Sequence, residues 1–405
     1  MKGMGNGAAL LAVGDEMLSG IRSDTNCSWL ASRLHGAGVP VRGIQVIPDN
    51  EEAILETVAG WVGKVEFLVL SGGLGPTHDD RTRFALARFL HVPLRADDQT
   101  YDRIVARYEE PLRSRVEAAR STQALIPDGA RGLLNPQGSA LGIAFSAKGT
   151  DVFSFPGVPW EFRAMAEAHF LPRIERRGTW KQVVVAGWPE SLLAEKLADL
   201  LLKRTLHVSI LPSAGLVTLV FRGEAEEVES AVLRVRKELP DDCLEDGETD
   251  LPPAIVTRAA REGISLACAE SCTGGLVGAA ITDVPGASRV FQGTAVCYSN
   301  EAKANLLGVK RRTLEAHGAV SGECALEMAD GARRVFGADL SVAVTGIAGP
   351  EGGTEAKPVG TVWFAVSGPS SRKAFKRNLA GDRAHIRRWA TAIALETLWR
   401  TLKEG

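Results

Sequence analysis

The chain has 405 residues, 45% hydrophobic and 24% charged, with a formal net charge of -2. That length allows two or three domains with sizeable cores, while the balanced charge and apolar content exclude a dedicated nucleic-acid binder with a basic stripe and exclude wholesale disorder. No apolar run reaches the roughly 18 residues of a membrane span, and six scattered cysteines without a CxxC pair suit a reducing cytoplasm better than a disulfide framework or a zinc site.

The opening segment holds one lysine and a short apolar stretch before Asp15 and Glu16. It reads as a buried first strand over 8–13 rather than a signal peptide. Residues 26–36 read as helix, 41–47 as strand, 51–63 as helix, 66–71 as strand and 80–91 as helix. This alternation predicts a parallel sheet with helices on both faces. Residues 97–123 look helical and polar, an insertion, before strands near 141–145 and 151–155 and a helix near 159–175. From about 180 the pattern changes: strand 182–187, helix 190–202, two strands within 206–222 and helix 224–238 make a small α+β unit. The acidic, proline-containing stretch 239–253 reads as a linker. Beyond it come helix 254–262, strand 264–269, helix 274–282, strand 293–298, helices 300–307 and 323–336, strands 339–345 and 359–367 and helix 383–402, an α/β domain of its own. The expected division is therefore 1–175, 176–240, a linker over 241–253, and 254–405.

Three stretches of the first domain fall at carboxyl ends of predicted strands, where open parallel sheets bind ligands. "GDEMLSGIRSDTN" (14–26) places Asp24 or Thr25 to cap a helix. "SGGLGPTHDD" (71–80) offers backbone N–H groups to an anion through Gly72, Gly73 and Gly75, and Asp79 and Asp80 to a hard cation or as helix caps. "FPGVPWEF" (155–162) puts Glu161 at a helix start. Together they resemble the molybdopterin-binding fold as it occurs in the CinA family, a three-layer α/β/α domain related to the MogA and MoaB enzymes. The resemblance implies a metal-dependent pyrophosphatase acting on ADP-ribose. It makes Asp24, Asp79, Asp80 and Glu161 candidates for a divalent metal (magnesium, manganese or cobalt) and Gly72, Gly73, Gly75 and Thr77 the anion cradle. The middle unit would be KH-like in this family; it lacks the GxxG loop that clamps nucleic-acid phosphates, so it reads as a structural or dimer-forming module.

In the last domain, "AESCTGG" (269–275) sets Ser271, Cys272 and Thr273 side by side where a strand turns into a helix. Free N–H groups at such a turn, made accessible by Gly274 and Gly275, suit an oxyanion, and the geometry suits any of the three side chains. Thr273 reads best as the helix cap. His317 and His385 sit in no motif-like setting, so a base has to come from elsewhere. Lys303, in the first turn of a helix capped by Ser299 or Asn300, is a candidate if burial keeps its amine neutral. "VAVTGIAGPEGG" (342–353) and "AGDRAHIRRW" (380–389) add a glycine-rich loop after Thr345 and an arginine, Arg383, behind a capping Asp382.

"AESCTGG", "VCYSNEAK", "GAVS", "TGIAGPEGG", "KPVGTVWFAV" and "AGDR", in this order, resemble the C-terminal CinA amidase domain. That family hydrolyses the amide of nicotinamide mononucleotide to nicotinic acid mononucleotide and ammonia, with no cofactor. The resemblance makes Ser271 the nucleophile, Lys303 its general base and Tyr298 an aid to proton transfer or orientation. Thr273, Gly274, Gly275, Thr345 and Gly346 would line the substrate site, with Arg383 on the phosphate. The resulting expectation is a cytoplasmic, homodimeric enzyme of pyridine-nucleotide salvage, with nucleotides rather than nucleic acid or membrane as partners. The alternatives are a nucleotide-sensing adaptor without turnover, or an active deamidase whose first domain only binds.

Overall fold

The structure, a computed structural model, describes residues 7–175, 179–201, 205–369 and 371–404. It divides into two compact units, Met1–Gly178 and Thr179–Gly405.

The strands of the first unit are β1 (Ala8–Val13), β2 (Val41–Ile47), β3 (Phe67–Ser71), β4 (Leu94–Ala96), β5 (Leu125–Pro127), β6 (Arg131–Leu133), β7 (Gly142–Ala147) and β8 (Thr150–Phe155). Six form a sheet in the order β2-β1-β3-β8-β7-β6, and β4 pairs with β5. Every residue of β1 and β3 is buried, as in a strand covered on both faces. Alternate side chains serve opposite cores: Ala9, Leu11, Leu68 and Leu70 on one side, Ala8, Leu10, Phe67 and Val69 on the other. The sheet is mixed rather than wholly parallel. Lys148 and Gly149, at φ 47 and φ 79, form a two-residue hairpin that obliges β7 to run antiparallel to β8. The insertion holds three short helices, Asp98–Val105, Leu112–Ala118 and Arg120–Gln123. The helix read over 159–175 is regular only over Pro159–Met165; a π turn and a 3-10 turn follow, the latter containing Pro172, which lacks the N–H to continue a helix.

In the second unit β9 (Thr179–Ala186), β10 (His207–Ser213) and β11 (Leu216–Gly223) form an antiparallel sheet in the order β10-β11-β9. The helix read over 190–202 is two short helices, Glu190–Lys196 and Ala198–Leu201, and residue 202 lies outside the described residues. The stretch read as a linker is packed. The Leu244 N–H donates to Val184 O at 2.9 Å and the Ala186 N–H to Asp242 O at 2.8 Å. Its apolar members Leu239, Cys243 and Leu244 are buried, which outweighs the acidic character that suggested a solvated connection.

The remaining strands are β12 (Leu266–Glu270), β13 (Phe291–Val296), β14 (Leu340–Gly346), β15 (Thr361–Ser367) and β16 (Arg372–Asn378), in the order β13-β12-β14-β15-β16. The first three are parallel and the last two antiparallel. Small residues on one face, Ala267, Ala269, Ala343 and Ala365, pack against the apolar side of the helix Gly322–Phe336. In this last domain a helix and a strand escape the sequence reading. The helix Arg311–His317 is short, and β16 ("RKAFKRN") is so charged that it reads as loop, a composition that an edge strand tolerates. All six cysteines are buried free thiols.

Candidate active sites

β12 ends at Glu270 and Ser271 follows where the chain leaves the sheet. The Ser271 N–H bonds Val344 O at 2.9 Å and the Cys297 N–H bonds Glu270 O at 2.8 Å, so both flanking chains fix this point. The helix Asn300–Leu307 begins at Ser299, whose hydroxyl accepts from the Ala302 N–H, and stops at Gly308, in the left-handed region at φ 71. Lys303 and Leu307 lie one turn apart on its inward face and are 1% and 0% exposed. That placement brings Lys303 Nζ within 2.9 Å of Ser271 Oγ and 2.8 Å of Cys297 O. Burial pushes the amine below the ordinary 10.5, against the pull of the thiols of Cys324, Cys297 and Cys272. A neutral amine at this distance is a base for the hydroxyl. Cys272 is different: burial pushes its thiol up to about 11, so it stays protonated at neutral pH. The histidines have other neighbours: His317 faces Glu323 at 3.9 Å and His385 packs on Trp389.

Several expectations for this turn are corrected. Thr273 does not cap the helix Leu276–Thr282. The Glu270 carboxylate does, accepting from the N–H groups of Gly275 (2.9 Å), Val277 (3.2 Å) and Gly278 (2.9 Å) and from the Thr294 hydroxyl (3.2 Å). Gly274 and Gly275 are not free oxyanion donors, because the Gly274 N–H bonds Ser271 O and Gly275 serves Glu270. The Thr345 hydroxyl donates to Ala319 O at 2.8 Å, bracing the "GAVS" segment. Gly346 closes β14 where a Cβ would meet Thr361 O at 2.9 Å, so it serves strand contact. Asp382 caps the last helix through the His385 N–H at 2.7 Å. Arg383 is exposed and donates to Gly349 O and to the Tyr298 hydroxyl, each at 2.8 Å. Tyr298, 62% exposed, is thus tied to Arg383 rather than to Ser271.

In the first unit a cleft of about 850 Å³ is lined by Asp24, Asp79, Asp80, Glu161, Gly72, Gly73 and Gly75 together. Within it each group has its own task. Asp24 Oδ1 accepts from the N–H groups of Asn26 and Cys27 at 3.1 and 3.0 Å, so it, not Thr25, caps the helix Asn26–Gly36. Asp80 accepts from both the N–H and the hydroxyl of Thr77, which removes Thr77 from the cradle. Gly72 is also removed, its N–H donating to Phe155 O at 2.9 Å. Gly73 remains, in the left-handed region at φ 68, where a Cβ would stand 2.2 Å from the Thr82 hydroxyl. Glu161 accepts from Asn135 at 2.6 Å, and burial raises its carboxyl. Arg83, 1% exposed, donates to Leu74 O and Gly75 O and holds the loop from beneath. Arg22 and Arg115, which the sequence reading passed over, supply positive charge to the cleft. Among the described residues no three His, Cys, Asp or Glu side chains cluster to hold a metal ion. The donor set fits a divalent cation only in an open form, with one or two carboxylates and the rest from phosphate and water, as is usual for magnesium.

Residues 248–402 match the CinA C-terminal domain and residues 9–176 a probable molybdopterin binding domain. The chain is 38% identical over 414 residues to a CinA-like protein of Parasynechococcus marenigrum, covering 98% of each, and 35% identical over 409 residues to one of Salinibacter ruber, covering 98% of this chain and 99% of that one. The chain belongs to the CinA family. Among solved structures, the competence/damage inducible protein CihA from Agrobacterium tumefaciens is 41% identical and covers 38% of this chain and 93% of its own, with a TM-score of 0.37. A CinA superfamily protein from Klebsiella pneumoniae is 35% identical, covering 38% of this chain and 97% of its own, with a TM-score of 0.37. This CinA chain has, among its described residues, no helix long and apolar enough to cross a membrane.

Proposed function

We propose that the second unit of this CinA protein deamidates nicotinamide mononucleotide and that the first unit hydrolyses ADP-ribose. One observation carries the deamidase reading: a buried Lys303 amine 2.9 Å from the Ser271 hydroxyl at a strand end. Ser271 Oγ attacks the carboxamide carbon while its proton passes to Lys303. The tetrahedral intermediate collapses, Lys303 returns the proton to the leaving nitrogen, and ammonia departs from an acyl-serine. Water, deprotonated by the same amine, cleaves the ester, and nicotinic acid mononucleotide leaves as Ser271 regains its proton. The Cys297 carbonyl orients the amine throughout. Arg383 and Tyr298, joined and open to solvent, are the groups offered to the substrate phosphate. The geometry supports the reaction class; membership of the CinA family supports the substrate.

The test is ammonia release from nicotinamide mononucleotide by the purified chain, which a nucleotide-sensing adaptor would not give. Its pH dependence is also set. The base works unprotonated, so kcat/KM rises with pH through the lowered pKa of Lys303 and levels off below 10.5. A rate that falls across that range, or an inflection at 10.5 or above, contradicts a desolvated lysine base.

For the first unit, support comes from the cleft of about 850 Å³, which Gly73, Arg22 and Arg115 line together with the acidic residues. A divalent cation (magnesium, manganese or cobalt) would be held by Asp79 and Asp80 with the substrate's own oxygens, and would offset phosphate charge. The chain's backbone and arginines bind and orient the pyrophosphate. Gly73→Val, strained at φ 68 and driven into Thr82, is expected to lower ADP-ribose hydrolysis at least tenfold, with deamidation unchanged. Paired assays on one preparation check this. Equal ADP-ribose turnover in both proteins removes the glycine turn from the site.

A further inference from the structure

Two side chains outside the proposed chemistry hold the Ser271 turn, one through its N–H groups and one through its carbonyls. Glu270 gathers the N–H groups that follow it, as described. From the last helix, Arg383–Glu404, Arg387 reaches back across the sequence: its Nε donates to Cys272 O at 3.1 Å and an Nη to Thr273 O at 2.9 Å. A guanidinium is a planar fork of fixed donors and matches two successive carbonyls in a way an ammonium does not. The fit is close, since a Cβ on Gly274 would lie 3.3 Å from the same Nη. Each peptide unit is planar, so a carbonyl held on one side sends the next N–H to the other. Holding the carbonyls of Cys272 and Thr273 therefore orients the N–H groups of Thr273 and Gly274. The Gly274 N–H closes on Ser271 O at 3.1 Å.

We propose that Arg387 is a positioning residue for Ser271, clamping the turn so that Oγ stays on the Lys303 amine. This rests on the serine–lysine reading of the site. A small misplacement of a nucleophile relative to its base costs on the order of a hundredfold in rate. Because the clamp acts on the turn and not on bound nucleotide, its loss falls on kcat.

The experiment compares the full chain with Arg387→Ala and Arg387→Lys. Arg387→Ala should lose on the order of a hundredfold in kcat, with KM within threefold of wild type. Added guanidinium ion at tens of millimolar, below denaturing levels, should recover at least tenfold of that loss. Arg387→Lys should not recover it, since one ammonium cannot span both carbonyls. A fluorophosphonate gives a second readout free of the substrate assignment: its phosphorus bonds Ser271 Oγ, fluoride leaves, and Lys303 takes the proton. Labelling should slow in Arg387→Ala by a factor similar to kcat. Three outcomes overturn the proposal: kcat within threefold of wild type; a risen KM with kcat kept, which marks a substrate ligand; or lost activity and labelling that guanidinium does not restore. If wild type is labelled at Ser271 yet releases no ammonia, the substrate reading fails and the labelling rates still test the clamp.

Discussion

Ser271→Ala is expected to lower ammonia release from nicotinamide mononucleotide by about ten-thousandfold, and Lys303→Met by about a thousandfold or more. The serine loses the atom that forms the acyl bond. The methionine fills much the same volume but has no lone pair to take the proton, and Cys272, with its thiol raised to about 11, is no substitute. Residual rates near wild type in Ser271→Ala, with Cys272→Ala inactive, would move the nucleophile to the neighbouring residue. Lys303→Met also has a stability consequence that does not depend on substrate. Burial lowers the pKa of the Lys303 amine in the native state, whereas the unfolded chain protonates it below its ordinary 10.5. Between the lowered native pKa and that value the unfolded state binds more protons, so folding stability rises with pH. The Lys303 contribution is lost as pH falls through this window. Subtracting the Met variant's stability curve from the wild-type curve should isolate it, with a limiting slope of about 1.4 kcal/mol per pH unit. A flat difference curve would mean that the amine is charged in the folded protein.

The second large effect is on Glu270. Its carboxylate is 0% exposed and accepts from three backbone N–H groups and one hydroxyl. Glu270→Ala leaves those donors buried without partners and removes negative charge from a helix N-terminus. The expected loss is roughly 2–4 kcal/mol of folding stability. Glu270→Gln keeps one acceptor oxygen and should lose about half as much. Denaturant midpoints measure both. Deamidation should fall in the alanine variant even at temperatures where it is folded, because Ser271 is the next residue and shares the turn. A Glu270→Ala protein within about 0.5 kcal/mol of wild type would show that water serves those donors equally well.

The two sites share a design in which a helix arginine grips a functional loop by its carbonyls. Arg83 holds the carbonyls of Leu74 and Gly75, and Arg387 those of Cys272 and Thr273. Burial pushes Arg83 down to about 10, yet it remains cationic at neutral pH. In each case the loop supplies acceptors that would otherwise lie unpaired near the core.

The amino-acid order alone determined what depends on neighbours a few positions apart. β1, β3 and β12 announce themselves as short apolar runs, β3 closing on Ser71 and β12 on Glu270, and Ser299 and Gly308 bound the Lys303 helix over the predicted residues. Placing Ser271 at a strand end and Lys303 in a first turn needed no more than that. Local pattern also holds the clue to the buried lysine, which shares its helical face with Leu307. Tertiary structure alone decided who meets whom. It gave Tyr298 to Arg383 and Thr345 to Ala319, brought Arg387 to the turn from the last helix, and set Lys303, which the family resemblance had already named as the base, 2.9 Å from Ser271. It also gave the Gly275 N–H to Glu270, an acid that an apolar strand pattern gives no reason to expect inside, and the Gly274 N–H to Ser271 O. The reason is physical: a helix or strand is set by short-range sterics and hydrogen bonds, whereas a side chain's partner is set by how whole elements pack, which no spacing along the chain encodes.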